Sequence, residues 1–285
     1  MTTLKIAIQK SGRLKDGSMK LLHEAGLSFS AGKDQLKAQA SNFPATLYFL
    51  RDDDIPEYVA DQVADLGIVG ENVFLEKNKD TPLVKRLGFA RCRLSMAAPR
   101  TFHYTGVSCL EGKKIATSYP VIVNSFLKKN KVRAEIHEIS GSVEIAPGIG
   151  LADVICDLVS TGSTLLSNGL AEVETILKSE AILIGSPHLD DEKTALLNQL
   201  LFRIDAVQSA EKNKYILMNC PDRSIEKITS LIPGMNSPTI TPLARKGWSS
   251  LHSVVDENDF WEKIDLLKSL GAEGILVVPI EYMIA

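Results

Sequence analysis

The residues best placed to do chemistry lie around Asp157, in the stretch CDLVSTGSTL from Cys156 to Leu165. An apolar run stops there at Ser160, Thr161, Gly162, Ser163 and Thr164, then turns apolar again. Small residues of this kind add little to a core. In a turn from strand to helix, their amides and hydroxyls can converge on one anion, and a helix start adds partial positive charge. Gly162 supplies a positive φ and lets a ligand approach closely. The pattern suits a phosphate monoester, although a Ser/Thr-capped helix start without a ligand reads the same way. Asp157, with Glu144 and Asp153 upstream, adds acceptors for sugar hydroxyls or a cation. Strand alternation puts Asp153 and Asp157 on one side, so phosphate, sugar and metal form one coherent ligand; a lone Asp at a strand end is also an ordinary turn or ion-pair residue.

Strand-like and helical runs alternate through the first two thirds: LKIAIQ, DGSMKLLHEAG, ATLYFLR, DIPEYVADQVA and DLGIVGE. That grammar means α/β with largely parallel strands. Asp54, before Ile55 and Pro56, is expected to cap a helix, and Asp52 and Asp53 to form a solvated acidic turn or hold a cation. VADLGIVGENVF (Val63–Phe74) and LADVICDLVSTGSTL (Leu151–Leu165) echo one another: a small residue, Asp, an apolar strand, then a glycine loop. The echo suggests two α/β lobes facing a cleft, with both glycine loops at carboxyl ends of strands; generic strand–loop–helix grammar also produces it.

The tail reads differently. KYILMNC, SIEKITSLIPG, SPTITPLA, WSSLHSVVD, ENDFWEKIDLLKSLGA and EGILVVPI give βαββαβ, the ferredoxin-like order. Its second helix is capped by Asp256, striped by Phe260, Ile264, Leu267 and Leu270, and stopped by Gly271. A linker is expected around residues 208–214.

With 285 residues the chain is large enough for two or three folding units. A net charge of −3 argues against a nucleic-acid surface, so an anionic ligand must be held by local arrangement. No apolar run is long enough to cross a membrane, and the amino terminus lacks a secretory pattern, which points to the cytoplasm. Cys92, Cys109, Cys156 and Cys220 form no CxxC pair, and Cys156 and Cys220 read as buried strand residues. No general base stands out among five histidines; His23 reads as a surface or packing residue. Arg91 and Arg93 read as solvated arginines with a phosphate-contact alternative.

GSVEIAPGIGLADVICDLVSTGSTL (Gly141–Leu165) resembles the phosphoribosyl pyrophosphate signature of the ATP phosphoribosyltransferase family, the first enzyme of histidine biosynthesis. IAIQKSGRL (Ile6–Leu14), RDDDIP (Arg51–Pro56), DLGIVGENV (Asp65–Val73), CRLSMA (Cys92–Ala97), GKKIATSYP (Gly112–Pro120) and SPTITPLA (Ser237–Ala244) resemble its other blocks, in order. With its βαββαβ tail the chain is similar to the long form. The resemblance implies two periplasmic-binding-protein-like lobes and a C-terminal ferredoxin-like regulatory domain, bounded at 1–95 with 179–207, 96–178 and 208–285. It implies that Ser160, Thr161, Gly162, Ser163 and Thr164 hold the 5-phosphate of phosphoribosyl pyrophosphate, with Glu144 and Asp157 serving ribose or metal. Lys10, Gly12, Arg13 and Glu71 would lie on the ATP side, and Met235, Thr239 and Gly274 would form a pocket for inhibitory histidine. Mg²⁺ is the implied cofactor, its ligands unspecified. A homo-oligomer from dimer to hexamer is implied as well. The rival readings are a non-catalytic two-lobed anion-binding protein and a nucleobase phosphoribosyltransferase.

Overall fold

The computed structural model describes residues 2–30 and 35–284. They fall into two compact units: Ser28–Leu196 with the chain up to Lys20, and Leu21–Leu27 with the chain from Leu197.

The first unit contains two sheets. Strands β1 (Leu4–Gln9), β2 (Lys37–Gln39), β3 (Ala45–Leu50), β4 (Leu66–Gly70) and β5 (Leu83–Arg86) precede a crossing into the second sheet. That sheet takes β6 (Cys92–Pro99), β7 (Lys114–Thr117), β8 (Glu135–Glu138), β9 (Val154–Val159) and β10 (Leu170–Ser179) before β11 (Ala181–Gly185) returns to the first. The helices are α1 (Arg13–Glu24), α2 (Ile55–Ala60), α3 (Glu71–Lys77), α4 (Pro120–Lys129) and α5 (Ser163–Ser167). The crossings, at residues 87–91 and at Glu180, lie close to the expected lobe bounds, although position 95 falls inside β6.

Strand orders β3-β1-β4-β11-β5 and β8-β7-β9-β6-β10 match, each with two parallel pairs followed by two antiparallel ones. The echo in the sequence therefore has a structural counterpart, and a paired aspartate accounts for it. Asp65 exchanges two hydrogen bonds with the backbone of Lys5: its amide donates to the carbonyl at 2.9 Å, and its Oδ2 accepts from the amide at 2.8 Å. Asp153 repeats this with Lys114, at 2.9 Å for both bonds. Each aspartate pins the start of one parallel strand to its neighbour. Ala64 and Ala152 precede them because the chain is buried there.

Two local expectations are corrected. Asp54 does not cap α2: a 3₁₀ turn over Asp52–Asp54 enters the helix, Asp54 is already helical at φ −88° and ψ −23°, and its side chain bonds no helix amide. The helix stops at Ala60, leaving Tyr58 and Val63 exposed. The expected linker at 208–214 is also absent. Helix α6 (Asp191–Lys212) runs straight into β12 (Asn213–Pro221), and the boundary between the units falls within α6. Its polar residues are the exposed side of a helix that buries Leu200, Ile204, Val207 and Ala210.

The second unit carries β12, α7 (Ile225–Leu231), β13 (Thr239–Pro242), β14 (Trp248–Asp256), α8 (Glu257–Ser269) and β15 (Glu273–Pro279), in the expected βαββαβ order. The antiparallel sheet runs β13-β14-β12-β15. Alternation in β12 buries Ile216, Met218 and Cys220, and in β14 Leu251 and Val255. Phe260 and Leu267 of α8 complete the core. Asp256 caps α8, accepting from the amides of Asn258 at 2.9 Å and Asp259 at 3.3 Å.

Candidate active site

Strand β9 ends at Val159, and Gly162 turns the chain at φ +81° into the single helical turn α5. A Cβ at Gly162 would meet only Val159 Cγ1, at 3.9 Å, so the backbone angle rather than crowding demands glycine. Thr161 and Ser163 share a hydroxyl–hydroxyl bond of 3.0 Å. Because α5 has only five residues, its macrodipole adds little, and the polar groups the turn offers are hydroxyls and local amides.

The loop borders a cavity of about 300 Å³ lined by all seven expected phosphoribosyl residues: Glu144, Asp157, Ser160, Thr161, Gly162, Ser163 and Thr164. Arg13, the first residue of α1 after the first sheet's β1, lines it too and donates to Ser160 Oγ at 2.9 Å. Burial pushes the Asp157 carboxyl upward; the Leu158 amide on its Oδ1 at 2.7 Å opposes this, and the Glu144 charge reinforces it. Asp153 does not join them. It sits at the opposite end of β9, four residues or roughly 13 Å from Asp157, and is held by Lys114. Alternation gave its side of the strand and not its end.

A second cavity of about 510 Å³ shares Ser160 with the first and is lined by Glu71, Arg86, Arg91, Cys92, Arg93, Lys178, Ser179 and Glu180. Glu71 is buried and its carboxylate is taken by a two-pronged pair with Arg86, one arm at 2.7 Å. Arg86 also reaches Glu180 at 3.4 Å. Arg93 pairs with Glu172 through two bonds of 2.5 Å and donates to the Ser160 carbonyl at 3.2 Å. That pairing holds the Glu172 carboxyl down at about 2. Burial raises the Cys92 thiol, which keeps it protonated and a poor nucleophile. The structure thus makes Arg93 a wall of the cavity rather than a solvated side chain. It also adds Arg86 and Lys178, which no sequence motif singled out.

Lys10 and Gly12 lie at the carboxyl end of β1: the Lys10 amide donates to Leu50 at 2.8 Å, and Gly12 takes φ +89° at the entry to α1. Beside them Asp52, half-buried, has an Oδ1 with no hydrogen-bond partner among the described residues. Asp53 and Asp54 are exposed. In the second unit the three expected histidine-pocket residues do not converge. Thr239 lies on edge strand β13 opposite His252, and Gly274 on edge strand β15, three strand spacings or roughly 14 Å across the sheet. Met235, in the turn before β13, is 48% exposed.

Comparison with known proteins decides what these cavities belong to. The family model described as ATP phosphoribosyltransferase matches residues 51–206, and that of its C-terminal domain matches residues 210–282. The chain belongs to the ATP phosphoribosyltransferase family. A protein of that name from Cytophaga hutchinsonii is 59% identical over 283 residues, 99% of each chain. One from Bacteroides thetaiotaomicron is 59% identical over 281 residues, again 99% of each. Among solved structures, an ATP phosphoribosyl transferase (HisG:HisZ) complex from Thermotoga maritima matches with a TM-score of 0.60 and 27% identity. It covers 71% of this chain and 99% of its own. A histidine kinase sensor domain with similarity to periplasmic binding proteins, at TM-score 0.50 and 10% identity, covers 73% of this chain and 91% of its own, and shares the fold alone. Membership of the ATP phosphoribosyltransferase family over the whole length displaces both rival readings. No described helix is long and apolar enough to cross a membrane.

Proposed function

We propose that this chain carries out the reaction for which its family is named, the first step of L-histidine biosynthesis. N1 of the adenine of ATP attacks C1 of phosphoribosyl pyrophosphate; the N1–C1 bond forms, the C1–O bond breaks, and pyrophosphate leaves with the bonding pair. The product is N1-(5-phospho-β-D-ribosyl)-ATP. The observation that carries this reading is the loop Ser160–Thr164, turned by Gly162 at φ +81° over Glu144 and Asp157. It seats the 5-phosphate, while the two carboxylates face the ribose. The adjoining cavity, rich in arginine, takes ATP, with Lys10, Gly12 and Arg13 at its β1 side. Glu71 acts there through Arg86, whose guanidinium it orients.

No protein nucleophile is required. An early break of C1–O leaves positive charge on the sugar, so catalysis consists of aligning two polyanions and neutralising the leaving group. Among the described residues no cluster of three or more His, Cys, Asp or Glu could hold a metal ion. Asp157 and Glu144 offer hard oxygens that suit Mg²⁺ arriving on substrate phosphates and keeping waters. Held there, the ion would supply charge neutralisation for the departing pyrophosphate.

Histidine acts as feedback inhibitor through the second unit. A pocket using both Thr239 and Gly274 draws on opposite edges of one sheet and is completed by a second copy of the chain, in keeping with a homo-oligomer. The test mixes ATP, phosphoribosyl pyrophosphate and Mg²⁺ and follows the ultraviolet change from N1 substitution. Turnover that falls on adding histidine is expected; no turnover with ATP, or equal turnover with free adenine, contradicts the reading.

A further inference from the structure

Helix α4 begins without a cap of its own. Its N-cap is Tyr119, whose side chain bonds no helix amide, followed by Pro120, so the next amides need acceptors from elsewhere. They find them across the cleft. Glu76, half-buried on α3 of the first lobe, accepts from the Val121 amide through Oε1 at 2.8 Å and from the Ile122 amide through Oε2 at 3.0 Å. One carboxylate from one lobe thus closes the helix start of the other, where its charge is favourable.

A second tie runs beside it. Asn72, buried on α3, donates through Nδ2 to the Tyr119 hydroxyl at 3.1 Å. Its Oδ1 accepts from Ser179 Oγ at 2.9 Å, at the strand that leads back across. Gly70 is needed for this: its φ is an ordinary −69°, but a Cβ there would lie 2.5 Å from Asn72 Oδ1. Arg13 to Ser160 is the corresponding bridge at the phosphate loop.

We propose that Glu76 is a positioning residue for phosphoribosyl transfer: it fixes the angle between the lobes, and hence the alignment of the sugar's C1 with adenine N1, without touching either substrate. This rests on the reaction proposed above. The phosphoribosyl seat is lined almost wholly from the second lobe, whereas the ATP cavity is lined from both; loosening the tie therefore leaves phosphoribosyl pyrophosphate binding intact and degrades mutual orientation, which is worth large factors in rate.

The test compares Glu76→Ala and Glu76→Gln with the unaltered full-length enzyme. For Glu76→Ala, kcat is expected to fall about tenfold or more while KM for phosphoribosyl pyrophosphate stays within about twofold. Glu76→Gln is nearly isosteric and keeps one acceptor oxygen; it should fall between, and it carries the test if the alanine variant does not fold. Spin labels on non-natural residues at Gln39 and Lys128, in subunits diluted with unlabelled chain, report the interlobe distance. The distribution should broaden in the variants. Unchanged kcat, a loss confined to KM, or an unchanged distance distribution each overturns the proposal. If the unaltered chain shows no turnover at all, the proposed reaction fails, and the distance measurement still decides whether Glu76 ties the lobes.

Discussion

Asp52 shows how a single side chain sets stability against use. Burial, and then the neighbouring charge of Asp53, push its carboxyl from the ordinary 3.8 up to about 6. The folded state therefore holds this proton to higher pH than the unfolded chain does. Its favourable contribution is complete below about pH 4 and lost as pH rises through about 6. At pH 8 the ionised, half-buried group costs up to about 3 kcal/mol. Asp52→Asn should raise Tm at pH 8 and leave it nearly unchanged at pH 4; equal effects at both pH values in thermal denaturation contradict this. Nothing in RDDDIP told Asp52 from Asp53, because which one turns inward depends on the 3₁₀ turn that carries them. The Ser160–Thr164 loop was legible for the opposite reason. Its turn and its row of hydroxyls reside in consecutive small residues and one glycine, and need no distant partner to be recognised.

At the scale of elements, caps separate what is local from what is not. Asp256 lies just outside α8 with extended backbone, so its carboxylate reaches two amides, as its sequence position suggested. Asp256→Ala should cost about 1 kcal/mol of stability in the second unit without changing uninhibited kcat. Thermal denaturation paired with the ultraviolet assay checks this, and an unchanged Tm contradicts it. Asp54 has the same residue type before a helix but is already helical, and its side chain cannot turn back. For α4 the acceptor comes from Glu76, a residue 45 positions earlier that no reading of consecutive residues could find. The missing linker has a similar cause. A helix with one exposed polar side has the composition of a connector until its buried residues are known.

For the whole molecule, duplication of one strand order around a cleft explains why the two glycine loops, alike in sequence, take different tasks. The β4 loop opens through Gly70 to admit Asn72 and the interlobe tie; the β9 loop turns through Gly162 beside the cavity proposed to take the sugar phosphate. The echo exposed the repeat, and the parallel roles of Asp65 and Asp153 show that part of it is structural. Regulation belongs to this scale too. At Gly274 φ is +60° and a Cβ would lie 3.2 Å from Asn219 Nδ2, so Gly274→Ala should raise the histidine concentration for half-inhibition about tenfold or more, with uninhibited kcat unchanged. An unaltered inhibition curve contradicts that assignment. The central claim, that the loop after β9 grips the sugar phosphate, meets its most direct test in kcat/KM for phosphoribosyl pyrophosphate of the Thr161→Val, Gly162→Ala double variant. The loss of a hydroxyl bond to a charged phosphate and of the loop's backbone angle predicts a fall of about a hundredfold or more, with Tm within a few degrees of the unaltered protein because the loop lies outside the core. Unaltered kcat/KM in a folded double variant contradicts it.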